Sequence, residues 1–405
     1  MKVLMLSDFY PPIIGGMERH VSLLVRELAR RGHEVIVCTT GCKDLPRVDD
    51  NHGVRVMRFE SLFQKMPFLY NDSRRRYLPP IQDLIITENL RTIVKQERPD
   101  IVHSHGWILY SFLPVKKQLG IPLIVTLHDY DFICPRKILL TDHKICNRPF
   151  TIGCVACGVK SYGLTKSFFA YIGVRSNKKR LGLVDKYVAV SSFVKEAYCK
   201  HLGLSDKDIV VIPNFYEIKE QNEEVGEPLL PDDFILFVGV PTRDKGIDIL
   251  VEAYRKLKTE TKLVLLVIKH PEFCDRRTKN VTVIENAPYK VVNEAYKKCR
   301  FTVIPSICPD ACPTVALESM GGKKAIIGSD IGGLRDIIND GENGILVRPN
   351  DPAELAKSMS YLLENPSACE RMGEKGYTRL TNLFSAGKVV PEIENQYESI
   401  TKTIR

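Results

Sequence analysis

The sequence predicts an α/β protein made of two doubly wound parallel-sheet domains. Thirteen short runs rich in Val, Ile and Leu recur between Lys2–Ser7 and Gly344–Val347. Helical patterns separate many of them, which is the alternation expected of βαβ units. The chain has 405 residues, more than a single hydrophobic core usually supports, so two domains are the starting expectation.

The first series of strands reads Lys2–Ser7, Glu34–Thr40, Val54–Phe59, Ile101–Ser104, Leu123–Leu127 and Tyr187–Val190. The second reads Ile209–Ile212, Phe234–Val238, Leu263–Ile268, Val281–Glu285, Phe301–Pro305, Ala325–Gly328 and Gly344–Val347. A first domain of residues 1–205 and a second of 206–385 follow. The polar, acidic stretch Glu217–Pro231 reads as a loop. Residues 386–405 show helical periodicity through Val390, Ile393, Tyr397 and Ile400, giving a last helix that packs across the domain junction. Solenoid repeats and low-complexity tracts are absent from the sequence.

Charge is unevenly spread. Residues 1–205 carry 31 Lys+Arg against 18 Asp+Glu (+13), and residues 206–405 carry 27 against 31 (−4), which makes the overall +9. A basic half points to an anionic partner: nucleic acid, a membrane surface or an anionic substrate. Arg74-Arg75-Arg76 and Lys178-Lys179-Arg180 contribute. Nucleic acid is disfavoured, because the basic residues form no continuous stripe and no known module pattern occurs. No apolar run approaches the roughly 20 residues that span a bilayer. Met1–Ser7 reads as a first strand and not as a signal peptide, so a cytoplasmic protein is expected.

Taken in order, the first loop follows Lys2–Ser7 and carries Gly15-Gly16 before a helix over Val21–Arg31. Paired glycines there let backbone N–H groups approach an anion, or simply make a tight turn. The spacing is not GxGxxG, which counts against a dinucleotide-dependent dehydrogenase. His103, His105 and His128 sit at or just after two strand ends. Such histidines can donate to developing charge or contact a sugar hydroxyl, or be structural.

Cys134, Cys146, Cys154 and Cys157 follow within 24 residues. The final CxxC has zinc half-site spacing, so a structural zinc site and unbound thiols are the two main readings. Lys166–Leu183 then mixes aromatic and basic residues, as a membrane-interface segment or an ordinary amphipathic helix would.

In the second series, Phe237–Gly246 is a strand followed by a loop holding Arg243 and Lys245. A lysine at the tip of a parallel strand suits a diphosphate, or is a solvated loop charge. Phe301–Asp336 reads strand, proline-rich loop, short helix, strand, loop and helix. Its two acids are Asp310 in the loop and Glu318 in an otherwise small or apolar helix, Thr314–Met320, stopped by Gly321-Gly322. On this stretch alone, Glu318 either faces solvent or serves a ligand beyond the strand ends.

Together these pieces resemble the retaining nucleotide-sugar glycosyltransferases of glycosyltransferase family 4. That family has the GT-B fold, two Rossmann-like domains facing across a cleft with a C-terminal helix crossing back. The most specific match is Pro305-Ser306, then Asp310 and Glu318 separated by seven residues, within Leu317-Glu318-Ser319-Met320. Ser329–Gly333, Asn339–Gly344 and Gly15–His20 are also similar.

The resemblance implies that Glu318 binds the ribose hydroxyls, Asp310 the donor sugar, and the Thr314 and Val315 amides the diphosphate, with Gly15-Gly16 from the other domain. Lys245 would neutralise the leaving diphosphate and His128 would sit near the sugar and acceptor. It further implies a UDP- or GDP-sugar donor, a lipid-linked or saccharide acceptor in glycan or glycolipid synthesis, and attack on the face the leaving group departs from. No enzymic nucleophile, divalent metal or other cofactor is then required. Asp310 is a glutamate in the family, and Val240 replaces a phosphate-binding arginine, leaving Arg243 and Lys269 to supply charge. A nucleotide-sugar epimerase of the same fold, and a catalytically weakened homologue acting as a binding protein, are the alternatives.

Overall fold

The computed structural model describes residues 1–13, 15–41, 45–51, 53–66, 77–141, 144–217, 230–269 and 280–404. Arg74–Arg76 and most of the acidic loop lie outside them. The chain folds as two units. One comprises residues 1–213 and 389–405, the other residues 214–388.

The first unit contains β1 (Lys2–Ser7), β2 (Glu34–Thr40), β3 (Val48–Asn51), β4 (Val54–Phe59), β5 (Ile101–His105), β6 (Leu123–Leu127), β7 (Leu140–Thr141), β8 (Lys144–Ile145), β9 (Lys186–Ala189) and β10 (Ile209–Val211). Among the described residues, eight of these form one sheet in the order β10-β9-β6-β5-β1-β2-β4-β3, with β7 and β8 as a separate hairpin. Pairing is parallel except at the edge, where β3 runs antiparallel to β4. The Ile209–Ile212 run, grouped by sequence with the second series, instead adds β10 to the first sheet beside β9.

The helices of this unit are α1 (Gly16–Arg30), α2 (Leu84–Glu97), α3 (Leu109–Leu119), α4 (Gly153–Asn177) and α5 (Ser192–Leu202). Strand β1 is apolar because helices cover both faces of a parallel sheet; its Val3, Leu4, Met5 and Leu6 are all fully buried, whereas the neighbouring β5 buries His103, Ser104 and His105. Local chemistry sets the helix ends. Asp83 caps α2 by accepting from the Ile85 and Ile86 amides at 2.9 and 3.1 Å, and Gly203 ends α5 with φ +75°.

The second unit holds β11 (Phe234–Gly239), β12 (Lys262–Val267), β13 (Val281–Glu285), β14 (Phe301–Ile304), β15 (Ala325–Ser329) and β16 (Gly344–Val347). They form an all-parallel sheet in the order β13-β12-β11-β14-β15-β16. Its helices are α6 (Ile247–Arg255), α7 (Tyr289–Lys298), α8 (Thr314–Gly321), α9 (Leu334–Ile337), α10 (Pro352–Glu364) and α11 (Pro366–Leu383).

The last helix, α12 (Ala386–Ile404), returns the chain to the first unit from Val389 onward. Its stripe of Val389, Val390, Ile393 and Tyr397 is buried. The Tyr397 hydroxyl lies 2.7 Å from His103 Nδ1, and Glu394 pairs with Arg31 at 3.2 Å and His33 at 2.9 Å. Tyr397→Ala is therefore expected to destabilise the first unit by roughly 3–5 kcal/mol, and Tyr397→Phe by about 1–3 kcal/mol through the stranded imidazole. Urea unfolding of the two variants checks the order; equal midpoints for all three proteins would contradict it.

Candidate active site

In the second unit the predicted donor residues follow the carboxyl ends of three adjacent strands. Lys269 comes two residues after β12, Arg243 and Lys245 follow β11, and Asp310 lies in the loop after β14. Arg243 and Lys269 are exposed.

Lys245 and Asp310 form a short ion pair, with Lys245 Nζ on Asp310 Oδ1. Ser306 Oγ donates to Asp310 Oδ2 at 2.6 Å. Burial works against the charged form of Lys245, but the Asp310 carboxylate outweighs it and holds the ammonium well above its usual range. The backbone ties the same two loops together, since Asp244 O accepts from the amides of Ile307 (2.8 Å) and Cys308 (3.2 Å). Two glycines allow the close approach. A Cβ on Gly246 (φ +71°) would lie 1.8 Å from Pro305 O, and one on Gly332 (φ +62°) would lie 2.5 Å from Asp310 O.

Helix α8 begins after this loop. Pro313 at its N-cap offers no side-chain acceptor, so the first-turn amides of Thr314 and Val315 have no side-chain cap. One turn further on, Glu318 is buried, which removes the reading of a solvent-facing acid. Its carboxylate neighbours Tyr296, whose phenol is pushed well above its ordinary range by burial first and by Glu318 second.

In the first unit the histidines form a row. His103 Nε2 meets Thr126 Oγ1 at 2.7 Å, His105 Nδ1 meets His128 Nε2 at 2.9 Å, and the His20 and His128 rings stack edge to face with centroids 5.0 Å apart. Burial lowers His20 to about 4 and His103 to about 3, and drives His105 well down, so these three imidazoles are neutral near pH 7. Gly15 caps α1 without a side-chain bond, and a Cβ on Gly16 would meet nothing within 4 Å. Packing of the free chain therefore does not require glycine at position 16.

Sequence reasoning missed a second cluster beside that row. Asp8, next after β1, is fully buried and accepts from the amides of Trp107 (3.0 Å) and Ile108 (2.6 Å). Burial raises it to about 6. Lys137 Nζ lies 4.0 Å from the Trp107 ring centroid. Burial opposes the charge of Lys137, and Asp129, Asp131 and Asp8 more than compensate. An acid directly after the first strand was the one local signal available.

The four cysteines are free thiols. Burial pushes Cys134 up to about 11, and Cys157 is held by Arg136 Nη1 at 3.3 Å. Among the described residues no group of three or more His, Cys, Asp or Glu is arranged to hold a metal ion. Cys134, Cys146, Cys154 and Cys157 are not brought together as such a group.

The family model for Glycosyltransferase Family 4 matches residues 14–220, and that for Glycosyl transferases group 1 matches residues 218–379. The chain belongs to glycosyltransferase family 4 and is a glycosyltransferase. It is 27% identical to an uncharacterized glycosyltransferase of Methanocaldococcus jannaschii, covering 99% of each chain. It is 24% identical to glycogen synthase of Mycobacterium tuberculosis, covering 95% of this chain and 91% of the relative.

Among solved structures, sucrose-phosphate synthase of Thermosynechococcus elongatus superposes with a TM-score of 0.75 at 19% identity over 100% of both chains. Anabaena HepE in complex with UDP-glucose gives 0.69 at 15% identity over 98% of this chain and 100% of its own. The fold is GT-B.

The histidine row makes stability depend on pH. In an unfolded chain these imidazoles take a proton near pH 6.5, whereas folded His20 and His103 do so only near 4 and 3. Between those values the unfolded chain binds more protons, so stability is full above about pH 6.5 and falls as pH drops. The slope approaches about 1.4 kcal/mol per imidazole per pH unit. Asp8, raised to about 6, takes its proton first in the fold and offsets part of the loss. The thermal midpoint should fall by several degrees from pH 7.5 to 5, and less in His103→Gln. An unchanged midpoint would contradict the neutral, buried row.

Proposed function

We propose that the chain is a retaining, metal-independent hexosyltransferase. It moves a sugar from a UDP- or GDP-sugar to a hydroxyl on a lipid-linked or saccharide acceptor, in the synthesis of cell-envelope glycan or glycolipid. The observation that carries this reading is in the second unit. The Lys245 cation, the uncapped start of α8 and the buried Glu318 all follow the carboxyl ends of neighbouring strands β11 and β14. The UDP-glucose held by a protein of the same fold supports it.

Each group has a physical role. Glu318 is desolvated and accepts from the ribose hydroxyls, and its burial makes any unpaired state costly. The Thr314 and Val315 amides donate to the diphosphate at the positive end of α8. Lys245 turns from Asp310 to the diphosphate as charge builds there, and Arg243 and Lys269 add to that field. Asp310, released, accepts from the sugar hydroxyls.

The bond between the anomeric carbon and the phosphate oxygen breaks, and the acceptor oxygen bonds that carbon on the same face. The acceptor proton passes to the leaving phosphate oxygen. In the first unit His128, beside the neutral His105, donates to the acceptor.

The test is turnover of a panel of UDP- and GDP-sugars by the full chain, with nucleoside diphosphate release and product anomers read by proton NMR. The donor's anomeric configuration should be kept. Lys245→Ala should lower kcat/KM by about a hundredfold or more, and Glu318→Ala should act mainly on KM. An inverted product, an epimerised sugar formed without acceptor, or full activity in both variants would overturn the proposal.

A further inference from the structure

Helix α4 is built inside out. Gly163, at φ +75°, breaks it, and the stretch from Leu164 to Asn177 turns a face of small and polar residues inward. Ser167, Ala170, Gly173, Val174 and Asn177 are its buried positions. They recur at three- and four-residue spacing, as one side of a helix does. They are small because backbone comes close. A Cβ on Gly173 would lie 2.5 Å from Pro80 O, and Asn177 Nδ2 donates to that same carbonyl at 3.0 Å.

The large apolar side chains point the other way. Leu164, Phe168 and Ile172 follow each other at four-residue spacing and are exposed, Leu164 at 67% and Phe168 at 45%. Phe169 is exposed at 52%. Scattered exposed apolar residues are ordinary, but this many on one helix face mark an interaction surface.

The charge around this face identifies its partner. Residues 151–180 contain six Lys or Arg and not one Asp or Glu. Arg175, Lys179 and Arg180 are exposed. A second copy of the same face would set these cations against one another. An apolar ridge of Leu, Phe and Ile with basic residues beside it matches the acyl boundary and anionic headgroups of a lipid monolayer.

We infer that the outer face of α4 docks the protein onto an anionic lipid bilayer. No helix among the described residues is long and apolar enough to cross a membrane, so the contact is peripheral. The apolar ridge enters the headgroup region, and Arg175, Lys179 and Arg180 meet lipid phosphates. The inference does not depend on the proposed reaction, because its test needs no donor or acceptor.

The experiment is cosedimentation of the full chain with vesicles, either phosphatidylcholine alone or phosphatidylcholine mixed equally with phosphatidylglycerol. Binding should be at least about tenfold stronger to the anionic vesicles and should weaken in about 0.5 M salt. Phe168→Ser with Phe169→Ser should reduce it about tenfold or more. Lys179→Gln with Arg180→Gln should remove most of the anionic preference. Phe168→Trp gives a second readout, because it adds an exposed indole to a chain whose own Trp107 is buried. The emission of that variant should shift to the blue when anionic vesicles are added.

Absence of wild-type binding, equal binding by the Phe168/Phe169 variant, or an unshifted emission from the Phe168→Trp variant would overturn the proposal. So would a wild-type dimer by light scattering that the Phe168/Phe169 variant dissolves, because the face would then belong to a second copy.

Discussion

Lys245 and Asp310 stand 65 residues apart in sequence and meet beyond the ends of two adjacent strands. Much of the second unit's local design serves that meeting. Gly246 and Gly332 have no room for a side chain, because Pro305 O and Asp310 O come so close. Asp244 O accepts from two amides of the facing loop, and Ser306 fixes the second carboxylate oxygen. A partly buried charge without a partner is costly, so each member of the pair stabilises the other while the site is free. In the proposed reaction a nucleotide sugar would supply replacements for both at once, phosphate oxygens for the lysine and hydroxyls for the aspartate. The pair thus keeps these loops organised and close to neutral in the free chain.

The first unit uses burial differently. His103 and His105 lie on β5 and His128 follows the neighbouring β6. Burial keeps His103 and His105 neutral, and hydrogen bonds to Thr126, Tyr397 and His128 fix their rings. Tyr397 comes from the last helix, so the C-terminal segment of the chain helps orient the imidazole row. Beside it, Lys137 gathers Asp8, Asp129 and Asp131 into a compact charged cluster against Trp107. The carboxylates keep the lysine charged, and the lysine limits how far burial raises the acids.

Much of this was legible in the sequence. Parallel strands buried on both faces leave runs rich in Val, Ile and Leu, so both sheets were visible, as were α8 and its acid. Glu318 stood out because it breaks an otherwise apolar helix, and the structure gives the reason, since it is buried. Contacts set only by tertiary structure were not legible. Nothing local to Asp8 or Lys137 announces that Trp107 and Asp131 will enclose them. The short strand β10 matched either sheet by composition, and register against β9 decided it. Zinc-like spacing at Cys154 and Cys157 does not by itself say where the thiols point. The inverted face of α4 was hidden because its spacing matches that of an ordinary amphipathic helix, and only burial shows which side faces the core.

The loop after β14, the start of α8 and the Lys245 turn are proposed together to hold a nucleotide sugar. Hydrogen–deuterium exchange of the full chain, with and without saturating UDP- or GDP-sugar, measures this peptide by peptide. Protection concentrated in residues 239–246 and 305–318 of the second unit is the predicted result. Exchange there that no donor in the panel changes, or protection confined to other segments of that unit, would contradict it.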